Sequence, residues 1–357
     1  MQRLVSIAKQ LKLIIRLCAP TGKAAKRLAE TPEIKALKPS TIHLHLAYNA
    51  VKKDKFDFMI VDEASMIDVD LLLELLSIIP EGASIVLIGD KDQLPPVASG
   101  QPFKDLIESE KIEVSRLTGN FRQDQFSKTV RAARSIITGQ LPHLTDKLDE
   151  SDFTFIECPA TQQADAILQY YFDLMPRILD VEPQDIQILA PQRTGGVGIL
   201  RLNELIQERV INKTQKSLFT KQDRNLDVEF YAGDKVINRK NNYRKSVMNG
   251  DQGTILRSAN SNLVVEFEDI ESGVREVEFE GLEKFQLDLA YATTVHSSQG
   301  SEYPGVIIPV TSAHSHMLSR NLLYTAITRG KNSFSLYSND EVLAAGVNSQ
   351  IERASGL

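Results

Sequence analysis

Two acids close an apolar run in Phe58-Met-Ile-Val-Asp-Glu-Ala-Ser65. An aspartate at such a point holds a magnesium ion directly or through water, and the glutamate beside it orients and deprotonates an attacking water. A second apolar run ends in Gly89-Asp-Lys-Asp-Gln-Leu-Pro-Pro96. Gln93 there carries donor and acceptor without charge, so it can sense a terminal phosphate or a water, and the two prolines fix the backbone that aims it. Two arginines follow, Arg122 in Asn120-Phe-Arg-Gln123 and Arg329 in Tyr324-Thr-Ala-Ile-Thr-Arg329. A phosphoryl transition state spreads negative charge over its equatorial oxygens, which a guanidinium meets with forked hydrogen bonds. Thr294-Val-His-Ser-Ser-Gln-Gly-Ser-Glu302 adds small hydroxyls, His296 and Gly300, a set suited to phosphate oxygens. Taken singly, each motif has a plain alternative: solvated loop acids, a surface turn, an ion pair, a packed histidine. Together, Asp62, Glu63 and Gln93 at neighbouring strand ends point to a nucleotide site.

One stretch looks like part of that site and is not. Cys18-Ala-Pro-Thr-Gly-Lys-Ala-Ala25 offers a Gly-Lys pair between an apolar strand and a helix. A phosphate loop needs Gly, four residues, then Gly-Lys-Ser/Thr. Here Leu17 stands where the first glycine belongs, and Ala24 follows Lys23, so no hydroxyl reaches a metal.

The elements that must carry these residues are legible in the apolar pattern. Runs at 13–18, 57–61 and 84–89 are continuous rather than alternating, as in strands of a parallel sheet buried on both faces. Helices are expected at 22–30, 40–48 and 68–79, which gives an α/β layer architecture. From 226 to 285 turn residues mix with period-2 alternation, the pattern of a small antiparallel β module. Buried-strand character returns at Leu289–Ala292, Val306–Val310 and Phe334–Tyr337. The division expected is therefore 1–115, a second domain from 116–225 and 286–357, and the inserted module at 226–285.

With 357 residues, two or three domains are the sensible expectation. A net charge of −6 excludes a histone-like polycation, so any grip on nucleic acid is local. Two distant cysteines, Cys18 and Cys158, suggest reduced thiols and a cytoplasmic protein. The longest apolar stretch, Leu71–Ile79, contains Glu74 and is too short to span a bilayer, so no membrane partner is expected.

In order along the chain, Ala-Pro-Thr-Gly-Lys-Ala-Ala, Ser-Thr-Ile-His, Val-Asp-Glu-Ala-Ser-Met, Gly-Asp-Lys-Asp-Gln-Leu-Pro-Pro-Val, Phe-Arg-Gln, Tyr-Ala-Thr-Thr-Val-His-Ser-Ser-Gln-Gly-Ser-Glu-Tyr and Leu-Tyr-Thr-Ala-Ile-Thr-Arg-Gly-Lys resemble the successive motifs of superfamily 1 helicases. The RecD family, of the exodeoxyribonuclease V alpha-subunit type, is the nearest match. The resemblance implies two RecA-like domains with an inserted Src-homology-like barrel, ATP and Mg²⁺ in the cleft between the domains, and single-stranded DNA across their top, moved 5′ to 3′. It also implies recombination-complex subunits as partners. Carried over motif by motif, it makes Asp62, Glu63, Gln93, Arg122 and Arg329 catalytic, puts Asp62 on the metal, and puts Asp62, Gln93, Arg122, Gly300, Glu302 and Arg329 on the nucleotide. It puts Thr21, Lys23, Thr41, His43, His296 and Ser298 on DNA. The family's phosphate loop lies one helix upstream of residues 19–25. Met1 stands inside what looks like that helix, Gln2 to Lys12, so the expectation is a helicase fragment unable to hydrolyse ATP alone. The alternative is a non-hydrolysing DNA-binding or assembly module with a vestigial motor. Two departures bear on function. About ten residues separate His45 from Phe56, little room for a strand-separating hairpin, and Ser297 stands where relatives usually carry lysine.

Overall fold

The computed structural model describes residues 1–52, 54–117, 127–143, 152–211, 215–223, 226–269, 273–351 and 355. The chain divides into two compact units, Met1–Gly119 with Ile351–Leu357, and Asn120–Gln350.

In the first unit the strands are β1 (Ile15–Ala19), β2 (Ser40–Thr41), β3 (Phe58–Val61) and β4 (Ser84–Leu87). They form a parallel sheet in the order β2-β1-β3-β4. The continuous apolar runs behave as expected: Leu17, Cys18, Ala19, Met59, Ile60 and Val61 are buried on both faces of the sheet. β4 is the outer strand among the described residues, and Ile85, Val86 and Leu87 are only half-buried. The helices are shorter or shifted relative to the sequence pattern. The first runs Gly22–Leu28, and the expected helix at 40–48 begins two residues later, after β2, and continues to Lys52. The Val69–Ser77 helix starts where Asp68 accepts the amide of Leu71, a side-chain cap.

In the second unit the strands are β5 (Phe153–Glu157), β6 (Ile186–Ala190), the hairpin β7 (Phe219–Asp223) and β8 (Leu226–Phe230), then β9 (Lys235–Asn238), β10 (Gln252–Ala259), β11 (Asn262–Asp269), β12 (Gly273–Phe279), β13 (Leu287–Leu289), β14 (Ala292–Thr294), β15 (Tyr303–Pro309) and β16 (Gly330–Ser338). A parallel sheet runs β14-β6-β15-β16-β5, and an antiparallel sheet runs β12-β11-β10-β9-β13. The fold class is thus α/β, with two parallel sheets and an antiparallel module inserted in the second. The run Leu289–Ala292, expected as one strand, is split between the two sheets of this unit. Leu289 closes β13 and Ala292 opens β14, with Ala290 and Tyr291 between them. The break is held by polar groups: Gln187 donates to the carbonyls of Ala290 and Tyr291, and the Tyr291 hydroxyl donates to Asp234. Burial pushes the Asp234 carboxyl up to about 6 even though the Tyr231 amide, Gln207 and Tyr291 all donate to it.

Candidate functional site

Register, rather than sequence distance, assembles the candidate residues of the first unit. Cys18 pairs with Ser40 on one side and Val61 on the other, and Val61 pairs with Leu87. Four strands therefore end level: Thr41 closes β2, and Thr21, Lys23, His43, Asp62, Glu63 and Gln93 follow the strand ends at one carboxyl edge. In open α/β sheets that edge is where ligands bind.

The acid turn is locked to its neighbour. The Ala64 amide donates to the Ile88 carbonyl at 2.8 Å and the Ile88 amide to Val61 at 2.8 Å, which ties the turn after β3 to the exit of β4. A Cβ on Gly89 would lie 2.9 Å from the Ser65 amide nitrogen and 3.2 Å from that of Ala64, so only glycine permits this approach. Glu63 itself sits at φ 51°, ψ 38°, the left-handed region that costs a non-glycine residue on the order of 1 kcal/mol or more. Asp62 and Glu63 are half-buried, while Gln93 is buried, its backbone N–H donating to the Asp90 carbonyl in the polar turn before the two prolines. The donor set suits a magnesium ion: hard carboxylate oxygens on a rigid turn, with the Ser65 hydroxyl buried two residues beyond Glu63 and lacking a protein hydrogen-bond partner among the described residues. Among those residues no group of three or more His, Cys, Asp or Glu side chains converges as a metal site. An ion on Asp62 would then take its remaining ligands from phosphate and water.

The DNA-assigned residues of this unit differ in what they leave available. Thr21 caps the Gly22–Leu28 helix by accepting the Ala24 amide, and Thr41, 4% exposed, caps its own helix by accepting the Leu44 amide. Both hydroxyls are engaged in local structure. His43 is exposed. Sequence reading missed the pair behind this row, Arg16 and Asp54. Arg16 Nη2 donates to Asp54 Oδ1 at 2.7 Å and its Nε to Oδ2, fastening β1 to the segment before β3. Arg16 holds the Asp54 carboxyl below the usual carboxylate range. The two positions lie 38 residues apart, and no spacing rule links them.

In the second unit the structure separates what the sequence presented as one cluster. His296 and Ser298 lie beyond the carboxyl end of β14, in a turn where His296 is exposed and Ser298 is fully buried, donating to the Val295 carbonyl. Gly300 and Glu302 precede β15, and Arg329 precedes β16, so these three lie at the amino ends of their strands. Gly300 takes φ 74°, the left-handed turn that reverses the chain between the two ends. Arg329 is 4% exposed, and its guanidinium donates to the Thr325 carbonyl, the Ser301 carbonyl at 3.1 Å and the Thr328 hydroxyl. These bonds fix the guanidinium to the segments on either side of β15. Arg122 lies outside the described residues.

Comparison with known proteins agrees with this architecture. Profiles of three families match successive stretches: an AAA domain over residues 1–157, an ATP-dependent RecD-like DNA helicase SH3 domain over 202–267 and a UvrD-like helicase C-terminal domain over 289–337. Among solved structures, that of Bacteroides Pif1 bound to ssDNA has the same fold, with a TM-score of 0.59 at 18% identity over 97% of this chain and 87% of that one. Parallel sheets of this kind are typical of RecA-like helicase domains. The ATP-dependent RecD2 DNA helicase of Deinococcus radiodurans is 37% identical over 335 residues, 92% of this chain and 43% of its own length. The RecBCD enzyme subunit RecD of Mycobacterium tuberculosis is 27% identical over 377 residues, 96% of this chain and 64% of its own. The chain belongs to the RecD-type DNA helicases, and it spans less than two-thirds of the length of these relatives. Among the described residues no helix is long and apolar enough to cross a membrane.

Proposed function

We propose that this chain carries the hydrolytic acids and the DNA track of an ATP-driven, RecD-type motor that moves 5′ to 3′ along single-stranded DNA. The observation that carries the reading is the level ending of β1–β4, which lines up Asp62, Glu63 and Gln93 on one rigid edge with Thr21, Lys23 and His43 beside them. Asp62 would hold Mg²⁺, which supplies charge neutralisation at the phosphates when bound. Glu63, its backbone fixed in the turn between β3 and β4, takes the proton of the attacking water, and Gln93 orients that water without adding charge. Arg329, with Arg122, stabilises the negative charge that develops on the transferred phosphoryl group. His296 and the hydroxyls around it follow the DNA backbone, which gives grip without sequence preference. Recombination-complex subunits are the proposed protein partners, and the cytoplasm the proposed compartment.

Both Gly-Lys pairs of the chain, Gly22-Lys23 and Gly330-Lys331, are followed by residues without a hydroxyl, Ala24 and Asn332. We therefore propose that these 357 residues alone bind DNA without sustaining turnover. The test uses a version extended at its N-terminus by a phosphate-loop segment. DNA-stimulated ATP hydrolysis is expected there, and Glu63→Gln lowers it by about 10² to 10⁴-fold with nucleotide binding retained. Undiminished turnover in Glu63→Gln refutes the reading.

A further inference from the structure

The inserted module reaches the Thr294–Ser298 turn through the side chain of Arg239. Arg239 directly follows β9, and its backbone amide donates to the Gln286 carbonyl, which fixes where its side chain starts. Its Nε donates to Asp288 Oδ2 at 2.7 Å and its Nη1 to the Ser297 hydroxyl at 3.0 Å. Ser297 is in turn held by Thr294, the two hydroxyls lying 2.7 Å apart and the Ser297 amide donating to the same Thr294 oxygen. Among the described residues these bonds leave Nη2 of Arg239 unspent, and the side chain is 25% exposed.

The guanidinium belongs to an ion-pair cluster. Asp288 takes Lys221 Nζ at 2.6 Å and lies 3.8 Å from Arg193 Nη1, while Arg193 also donates to Asp223. Three cations, Arg193, Lys221 and Arg239, thus share two carboxylates, Asp223 and Asp288. Register explains why they meet at the turn: Thr294 of β14 pairs with Ala190 of β6, so Ser297 and Arg193, each three residues further on, leave the sheet at the same carboxyl edge. A guanidinium already fixed at two points, with a spare NH₂ that is open to solvent, is preorganised for an anion.

We propose that Arg239, positioned by Asp288 and Ser297, binds a phosphodiester of the DNA strand that passes His296, so that the inserted module supplies a backbone contact of its own. The inference rests on the reading of the Thr294–Ser298 turn as part of the DNA track. Its chemistry is that of any phosphate, so the test has a DNA arm and a nucleotide arm.

The DNA arm measures binding of labelled oligo-dT to the chain by fluorescence anisotropy across a salt titration. Arg239→Gln is expected to lower the slope of log K against log salt by about 0.7, one phosphate's share on a single strand, and to loosen binding about tenfold at low salt. Arg239→Lys keeps most of the slope because it keeps the charge. Asp288→Asn removes a negative charge from the cluster and is expected to hold or tighten binding. A purely structural pair would behave otherwise: Arg239→Gln and Asp288→Asn break the same bond and would loosen DNA together. Should Asp288→Asn fail to fold, the Gln and Lys variants of Arg239 decide alone. An unchanged slope in Arg239→Gln, with His296→Ala weakened, overturns the inference and leaves the DNA-track reading standing. Absence of oligo-dT binding by the wild-type chain overturns both. In the nucleotide arm, Arg239→Gln leaves binding of a fluorescent ATP analogue unchanged. Loss there with oligo-dT binding intact assigns the phosphate to nucleotide and overturns the DNA assignment.

Discussion

The two parallel sheets place their candidate residues by opposite plans. In the first unit, every candidate side chain leaves the carboxyl edge of β1–β4, and the acids remain half-buried with solvent access. In the second, His296 and Ser298 sit at the carboxyl end of β14, whereas Gly300, Glu302 and Arg329 sit at the amino ends of β15 and β16. Arg329 is buried, and the oxygens it donates to include the Thr325 and Ser301 carbonyls and the Thr328 hydroxyl. The comparison teaches that one sheet gathers its candidate residues at one edge while the other divides the residues proposed for DNA and those proposed for phosphate between its two ends.

If Arg329 works on phosphate charge, its loss should be the largest effect in the second unit. In the extended version, Arg329→Gln is expected to cut ATP turnover by on the order of 10³-fold or more, measured by phosphate release; a drop below tenfold would remove it from the reaction. The carboxyl end of β15 offers a purely structural contrast. His314, buried beyond that strand, accepts the Thr311 amide at Nδ1. Burial pushes its imidazole from 6.5 down to about 4, with His316 adding to the effect. The folded pKa lies below the unfolded one, so the contribution is complete above pH 6.5 and is lost as pH falls toward 4. That amounts to about 3 kcal/mol, and urea unfolding should show His314→Gln lacking this acid-side slope. In the first unit, Gly89→Ala is expected to cost about 1–3 kcal/mol, because the added methyl meets backbone rather than a movable side chain. A neutral result would mean that the acid turn is not fixed by that approach. The smallest effects compare the caps of the two units: Asp68→Ala and Ser319→Ala should each cost about 1 kcal/mol in thermal unfolding.

Much of the first unit was legible because parallel strands buried on both faces write themselves as unbroken apolar runs. Strand ends in such a sheet also identify the ligand edge, so Asp62, Glu63 and Gln93 could be placed from the sequence. Three things were not legible. The run Leu289–Ala292 reads as one strand because all four side chains are apolar, yet the polar groups that break it, Gln187 and Asp234, lie 50 residues or more away in sequence. The split of residues 294–302 between two ends of one sheet depends on the left-handed turn at Gly300, which looks like any other glycine in a line of letters. The ion-pair cluster of Arg193, Lys221, Arg239 and Asp288 joins four segments, and charge pairs across such distances leave no periodic trace.

The proposed function requires that Glu63 and Arg329 act in one hydrolysis reaction. A double-mutant cycle on DNA-stimulated ATP turnover in the extended version tests it most directly, with Glu63→Gln, Arg329→Gln and both together. Groups that act on one transition state are strongly non-additive, so the double variant is expected to be about as slow as the slower single variant. Losses that multiply in the double variant would show two independent effects and contradict the account.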